Sequence, residues 1–215
     1  DYADRNVDGL VERSSTRPLV TGEVTEKEAL SIFFILLSFA LILVLTLTWQ
    51  TVFMSVGGLT LAIIYPFMKR YTQLPQVVLG AAFSWSIPMA FVATGQSISW
   101  IVWTLYFANL TWTVAYDTQY AMVDRDDDIK LGIKSTAILF AELDRPIIAI
   151  LQISFLGTLL LVTRSVEFSV YYYLGLSSAT GLFIYPHYLT WNRSRHCCFK
   201  AFLNNHCVGL SVSFG

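Results

Sequence analysis

Residues 116–136 read YDTQYAMVDRDDDIKLGIKST and follow directly on an apolar run. They place Asp117, Asp124, Asp126, Asp127 and Asp128 at its end. Carboxylates there are costly to hold near a membrane or a core, so they need a compensating partner. In an α-helix of about 3.6 residues per turn, positions seven and eleven apart return to nearly the same side. Asp117, Asp124 and Asp128 then form one stripe, with Asp127 flanking it and Asp126 on the far side. A stripe of anions repels itself unless cations sit on it. Oxygen-only ligands of this hardness suit Mg²⁺, which keeps several waters and shares substrate phosphates.

The chain begins with a second acidic stripe. Asp1, Asp4 and Asp8 stand at i, i+3 and i+7, one helical face. A lone charge run is usually a solvated loop. Two runs with the same spacing, on one side of a membrane, point instead to two metal-bearing walls around one diphosphate.

The membrane reading comes from composition. The chain has 215 residues, 55% hydrophobic and 13% charged, where a soluble domain carries about 25% charged residues. Mean hydropathy is +0.57. The charges fall in short loops between apolar runs, the pattern of an all-α, polytopic transmembrane helical bundle. Length makes it a single domain, 1–215. A net charge of −1 gives no sign of a nucleic-acid partner. The chain has no initiator Met and opens inside its first acidic motif, so we expect N-terminal spans to precede it.

Seven spans are expected: residues 29–49, 52–68, 74–94, 100–115, 146–162, 169–191 and 199–215. Thr25 and Glu28 form a capping-box pattern ahead of the first. Pro88 predicts a kink in the third. Residues 125–145 read as a long polar loop. With alternating spans, thirteen of the fourteen Lys and Arg residues fall on one side and only Arg164 on the other. By the positive-inside rule, both aspartate stripes of this multi-pass protein are then cytoplasmic.

Three local patterns carry the reading further. DYADRNVD at residues 1–8 resembles the first aspartate motif of the UbiA-type intramembrane prenyltransferases, N-D-x-x-D-x-x-x-D, without its leading Asn. YDTQYAMVDRDDD resembles the second motif. YPFMK, with Tyr65 and Lys69, matches the Y-x-x-x-K of that family. The stretches RPLVTGEVTEKEA, YPFMKRYTQLPQVVLGAAFSWSIPMA, GIKSTAILF and CFKAFLNN are closest to its 4-hydroxybenzoate branch. The resemblance implies nine helices around a central cavity, of which seven are present, and a Mg²⁺-dependent enzyme of ubiquinone biosynthesis. Its substrates would be polyprenyl diphosphate and 4-hydroxybenzoate.

The implied chemistry is electrophilic aromatic prenylation. Asp4, Asp8, Asp124 and Asp128 would be the catalytic metal ligands, with Asp1 and Asp117 as helpers. Arg13, Arg17, Lys130 and Lys134 would hold the remaining phosphate oxygens; Lys130 and Lys134, four apart, would share a helix face. Arg70 would grip the acceptor carboxylate through two hydrogen bonds. Lys69 and Tyr65, one turn apart, would serve the diphosphate or the acceptor side. Trp85, Trp112, Tyr116 and Tyr120 are candidates to face the allylic cation, although each reads equally as a core or interfacial aromatic. No base for the ring proton is identifiable, and diphosphate or a carboxylate could serve.

Other features point elsewhere. His196, Cys197, Cys198, His206 and Cys207 resemble zinc ligands. Eleven residues of helix separate them by about 16 Å, too far for one tetrahedral ion. His187 reads as a packing residue. Rival functions are a prenyltransferase with another acceptor, a membrane cation-binding or transport protein, and an inactive scaffold. Transporters bury their acids near mid-membrane. Here the acids cluster at one end beside basic loops, which favours diphosphate chemistry.

Overall fold

The computed structural model describes residues 2–215, and all regular structure among them is helical. A 3₁₀ turn, Tyr2–Asp4, leads into α1 (Arg5–Asp8) and α2 (Pro18–Thr21). The bundle follows as α3 (Glu26–Leu45), α4 (Trp49–Tyr71), α5 (Pro75–Ser84), α6 (Ser86–Ala93), α7 (Trp100–Leu131), α8 (Thr136–Phe140), α9 (Asp144–Val162), α10 (Val170–Leu189) and α11 (Arg195–Phe214).

Local chemistry sets the helix ends. Thr25 and Glu28 form the expected capping box, each side chain bonded to the other's backbone N–H. Thr48, Ser135 and Ser194 cap α4, α8 and α11 through their hydroxyls. The third span breaks between Ser84 and Ser86, giving α5 and α6. Pro88 lies four residues past Ser84 and has no N–H to offer its carbonyl, so the helix opens there. The Asn109 amide donates to the Ser84 hydroxyl at 3.0 Å, and the Trp85 indole donates to the Met54 carbonyl at 2.8 Å.

The region expected as a loop over 125–145 is mostly helical. The second acidic motif does not end α7, which runs on to Leu131. Gly132 stops it in the left-handed region at φ 68°, with the Ile133 N–H on the Asp128 carbonyl at 2.9 Å. The chain then turns back: Lys134 N–H donates to the Lys69 carbonyl at 3.0 Å, and α8 begins. Lys130 and Lys134 therefore do not share a helix face.

α7 is the hub, packed between α5, α9 and α11. Ala108, Phe155, Leu159, Leu176, Ala179, Phe183 and Val208 form one core, and Ala115, Met122, Ala137, Ile148 and Cys198 anchor a second. Trp112 stacks on Phe155 and donates to Asn205, which in turn donates to Gln119 at 2.9 Å. This leaves a buried polar network satisfied at the centre of the bundle.

Four stretches are long and apolar enough to cross a membrane: Glu26–Leu45, Trp49–Tyr71, Pro75–Ala93 and Thr136–Val162. α7, α10 and α11 have the length, but acids, hydroxyls and amides dilute their hydropathy. α3 buries no residue, and Phe33, Phe34, Leu36 and Ile42 point outward from it. That surface suits hydrocarbon.

α10 and α11 cross closely at Gly175. A Cβ there would stand 2.5 Å from the Ser211 carbonyl oxygen. Gly175→Ala should thus lower the melting temperature in detergent, by the equivalent of about 1–3 kcal/mol. A Cβ at Gly157 meets nothing within 4 Å. Gly157→Ala should be neutral or stabilising by up to about 1 kcal/mol. Equal melting temperatures for the two variants would contradict the close crossing.

Candidate active site

The two acidic stripes meet. A cavity of about 290 Å³ is lined by Asp4 and Asp8 from the N-terminal segment and by Asp117, Asp124 and Asp128 from α7. α4 contributes Tyr65, Pro66 and Lys69, α5 contributes Pro75 and Gln76, and the turn after α7 contributes Ile133, Lys134 and Ser135. Each wall owes its aim to local structure. Helical phase turns Asp117, Asp124 and Asp128 inward. The 3₁₀ turn running into α1 brings Asp4 and Asp8 to the same side. Gly132 reverses the chain so that Lys134 faces the cavity. Asp1 lies outside the described residues.

Cations hold these carboxylates apart. Arg13 donates to both oxygens of Asp124, at 2.6 and 3.2 Å, and so ties the N-terminal segment to α7. Such a two-point grip is among the stronger ionic hydrogen bonds. Arg17 pairs with buried Asp8 at 2.8 Å, and Lys69 pairs with Asp4 Oδ2 at 2.6 Å. The Arg13 guanidinium also lies 4.3 Å from the centre of the Tyr120 ring. Asp128 sits in the last turns of α7, past the roughly 20 residues that a span needs. Burial, with the charge of Asp124 beside it, pushes its carboxyl up to about 6. Lys130 is exposed and stands 3.7 Å from Asp127, away from the cavity. Arg70 lies outside the lining and donates to the Ala3 carbonyl at 2.6 Å, beside Asp4. Lys134 donates to the Tyr71 carbonyl at 3.3 Å.

Of the aromatic candidates, Tyr120 lines the cavity, and Tyr65 joins it. Trp112 and Tyr116 pack within the bundle, and Trp85 packs on Gly57 and Gly58. Gln76 was not read from sequence. It is buried, accepts the Thr136 N–H at 3.1 Å and reaches Asp117 with its amide. A polar residue directly after Pro75, at the start of an apolar span, was the available signal. Ser14 and Ser135 line the cavity as well.

The donor set fits Mg²⁺. Its acids are all carboxylates, and Asp4 Oδ1 is buried without a hydrogen-bond partner among the described residues. Among the described residues, no three His, Cys, Asp or Glu side chains converge as a ready-made cage. The acids face one another across the cavity. This arrangement suits an ion that completes its shell with water and substrate phosphate. The zinc candidates of α11 form no cluster among the described residues either.

Comparison with known proteins identifies the family. The model of the UbiA prenyltransferase family matches residues 1–208. A 4-hydroxybenzoate octaprenyltransferase of Pseudoalteromonas atlantica is 54% identical over 215 residues, covering 100% of this chain and 75% of that protein. The enzyme of the same name from Klebsiella pneumoniae is 56% identical, with 100% and 75% covered. The fold also matches the apo structure of a UbiA homolog from Aeropyrum pernix K1, with a TM-score of 0.87 at 21% identity, covering 98% of this chain and 79% of that one. The chain belongs to the UbiA prenyltransferase family.

Proposed function

We propose that this protein transfers a polyprenyl group from polyprenyl diphosphate to the ring carbon ortho to the hydroxyl of 4-hydroxybenzoate. This is a membrane step of ubiquinone biosynthesis, and the relatives named above support it. The observation that carries the reading is the single cavity lined by five aspartates and by Arg13, Arg17, Lys69 and Lys134. An all-acidic cavity would attract cations only. One with both signs, its acids ready to share ions, suits a diphosphate.

Members of the family generally use Mg²⁺. Asp4, Asp8, Asp124 and Asp128 would hold it here, with Asp117, and Asp1 of the first motif, as helpers. What Mg²⁺ supplies when bound is neutralisation of the charge that grows on the leaving diphosphate. Arg13, Arg17 and Lys69 are placed to hand over from carboxylate to phosphate oxygens and so orient the donor. Tyr65 and Tyr120 offer ring faces to a carbon cation once the C–O bond opens. Lys130, exposed and paired with Asp127 away from the cavity, has no place in holding the phosphate. Arg70 and Lys134 bond to backbone carbonyls rather than to described carboxylates. Their charge is therefore available for the acceptor carboxylate. We further propose that the cavity opens to the cytoplasm across a bacterial inner membrane, since thirteen of fourteen basic residues fall on its side by span alternation.

Membranes carrying the protein should form prenylated 4-hydroxybenzoate with Mg²⁺ and none with chelator. Donor hydrolysis without that product would leave the diphosphate site standing and move the acceptor elsewhere. Asp124→Ala and Asp128→Ala should each cost about a hundredfold or more in kcat; wild-type rates in either would remove that residue from the site. Arg70→Ala and Lys134→Ala should raise the KM for 4-hydroxybenzoate well beyond the KM for the donor, and equal effects on both would contradict the acceptor role.

A further inference from the structure

The second motif contains two aspartates that do not line the cavity, Asp126 and Asp127. Asp127 points away from the cavity, and the Arg195 guanidinium grips both its oxygens, at 2.8 and 3.0 Å. The same guanidinium donates to Glu12 Oε2 at 3.1 Å, and Asp126 lies at its 4.0 Å edge. The backbone N–H of Glu12 faces the Asp127 carboxylate too. Three separate parts of the chain therefore close on one cluster. Asp127 lies between Asp124 and Asp128 on the second wall. Glu12 lies between Asp8 and Arg13 on the first wall. Arg195 opens α11, directly after its cap Ser194.

A single charge bridging both walls fixes more than stability. One helical residue turns about 100°. Holding Asp127 outward on Arg195 holds Asp124 and Asp128 inward. Holding Glu12 on the same guanidinium sets where Asp8 and Arg13 stand opposite them. The neighbouring lock differs. Arg193 grips fully buried Asp144 at 2.9 Å and reaches Glu142, joining α9 to the entry of α11, and Asp144 in turn meets Arg125 of α7 at 3.5 Å, so this lock bridges to one wall only.

We propose that Arg195, with Asp127 and Glu12, is a positioning clasp that sets the separation and facing of the two aspartate walls, and through them the affinity for metal and diphosphate. The proposal rests on the diphosphate reading of the cavity. Asp127 is then a structural member of the motif and not a metal ligand. The fork of Arg suits this task, since it alone can hold two oxygens of one carboxylate and still reach a second acid.

The test measures ligand-induced thermal stabilisation, which needs no turnover. The purified protein in detergent is titrated with Mg²⁺ plus inorganic pyrophosphate, and the midpoint of the rise in melting temperature is read. Arg195→Ala and Asp127→Asn should each move that midpoint to about tenfold higher concentration, as loss of an orienting partner does at metal sites. Arg195→Lys should recover part of it. The double variant should be no worse than Arg195→Ala, because Asp127 acts on the walls through that guanidinium. Gly175→Ala, at the α10–α11 crossing away from both walls, is the control: it should lower the unliganded melting temperature and leave the midpoint in place. Midpoints within twofold of wild type in Arg195→Ala and Asp127→Asn, or multiplying effects in the double variant, would overturn the clasp. A wild-type protein that shows no stabilisation at all would overturn the diphosphate reading, and the clasp with it. Should Arg195→Ala fail to fold, Asp127→Asn and Arg195→Lys still decide the matter.

Discussion

Everything at the polar end of this bundle answers to one constraint: five carboxylates face a cavity of about 290 Å³, and like charges at that separation repel. The repulsion is relieved across the walls. Arg13 comes from the N-terminal segment to Asp124 of α7, and Lys69 comes from α4 to Asp4. A partner on the same helix would neutralise charge without fixing distance. A partner on another element does both. The long α7 follows from this. It must cross the bundle and still carry its acids past the apolar region, where water and basic side chains can reach them.

The α7 side of the site is braced from behind by neutral groups. Thr136 is fully buried, its N–H is received by Gln76, and its hydroxyl meets that of Thr118 at 2.8 Å. The turn after Gly132 is thereby joined to α5 and α7 at once. Higher in the bundle, the Trp112–Asn205–Gln119 network fixes α11 against α7. These contacts are short-ranged and specific, so they define the register in which the acids point inward.

Sequence carried the fold class and the two acidic stripes because both depend on periodicity. Asp117, Asp124 and Asp128 share a face by helical phase alone, and Asp127 falls outside it for the same reason. The capping box of Thr25 and Glu28 is likewise a local pattern with one geometric outcome. What was not legible depends on contacts between distant residues. Residues 125–131 read as loop because their charge is that of a loop, yet Arg195 receives the carboxylate of Asp127 and α7 continues. Gln76 carries no pattern of its own; its place follows from how α5 meets Asp117. The apolar character of α7, α10 and α11 is diluted by the groups that face inward, so hydropathy alone understates them.

The two walls are attached by different forces. Residues 2–17 meet the rest of the protein largely through ion pairs: Arg5 with Glu26, Lys69 with Asp4, Arg13 with Asp124 and Arg195 with Glu12. The opposite wall is held by packing and by buried hydroxyl and amide bonds. Dissolved salt screens exposed charges over about 8–10 Å and barely touches buried contacts. Ionic strength therefore weakens the seating of the segment that carries Asp4 and Asp8 more than it weakens the seating of α7.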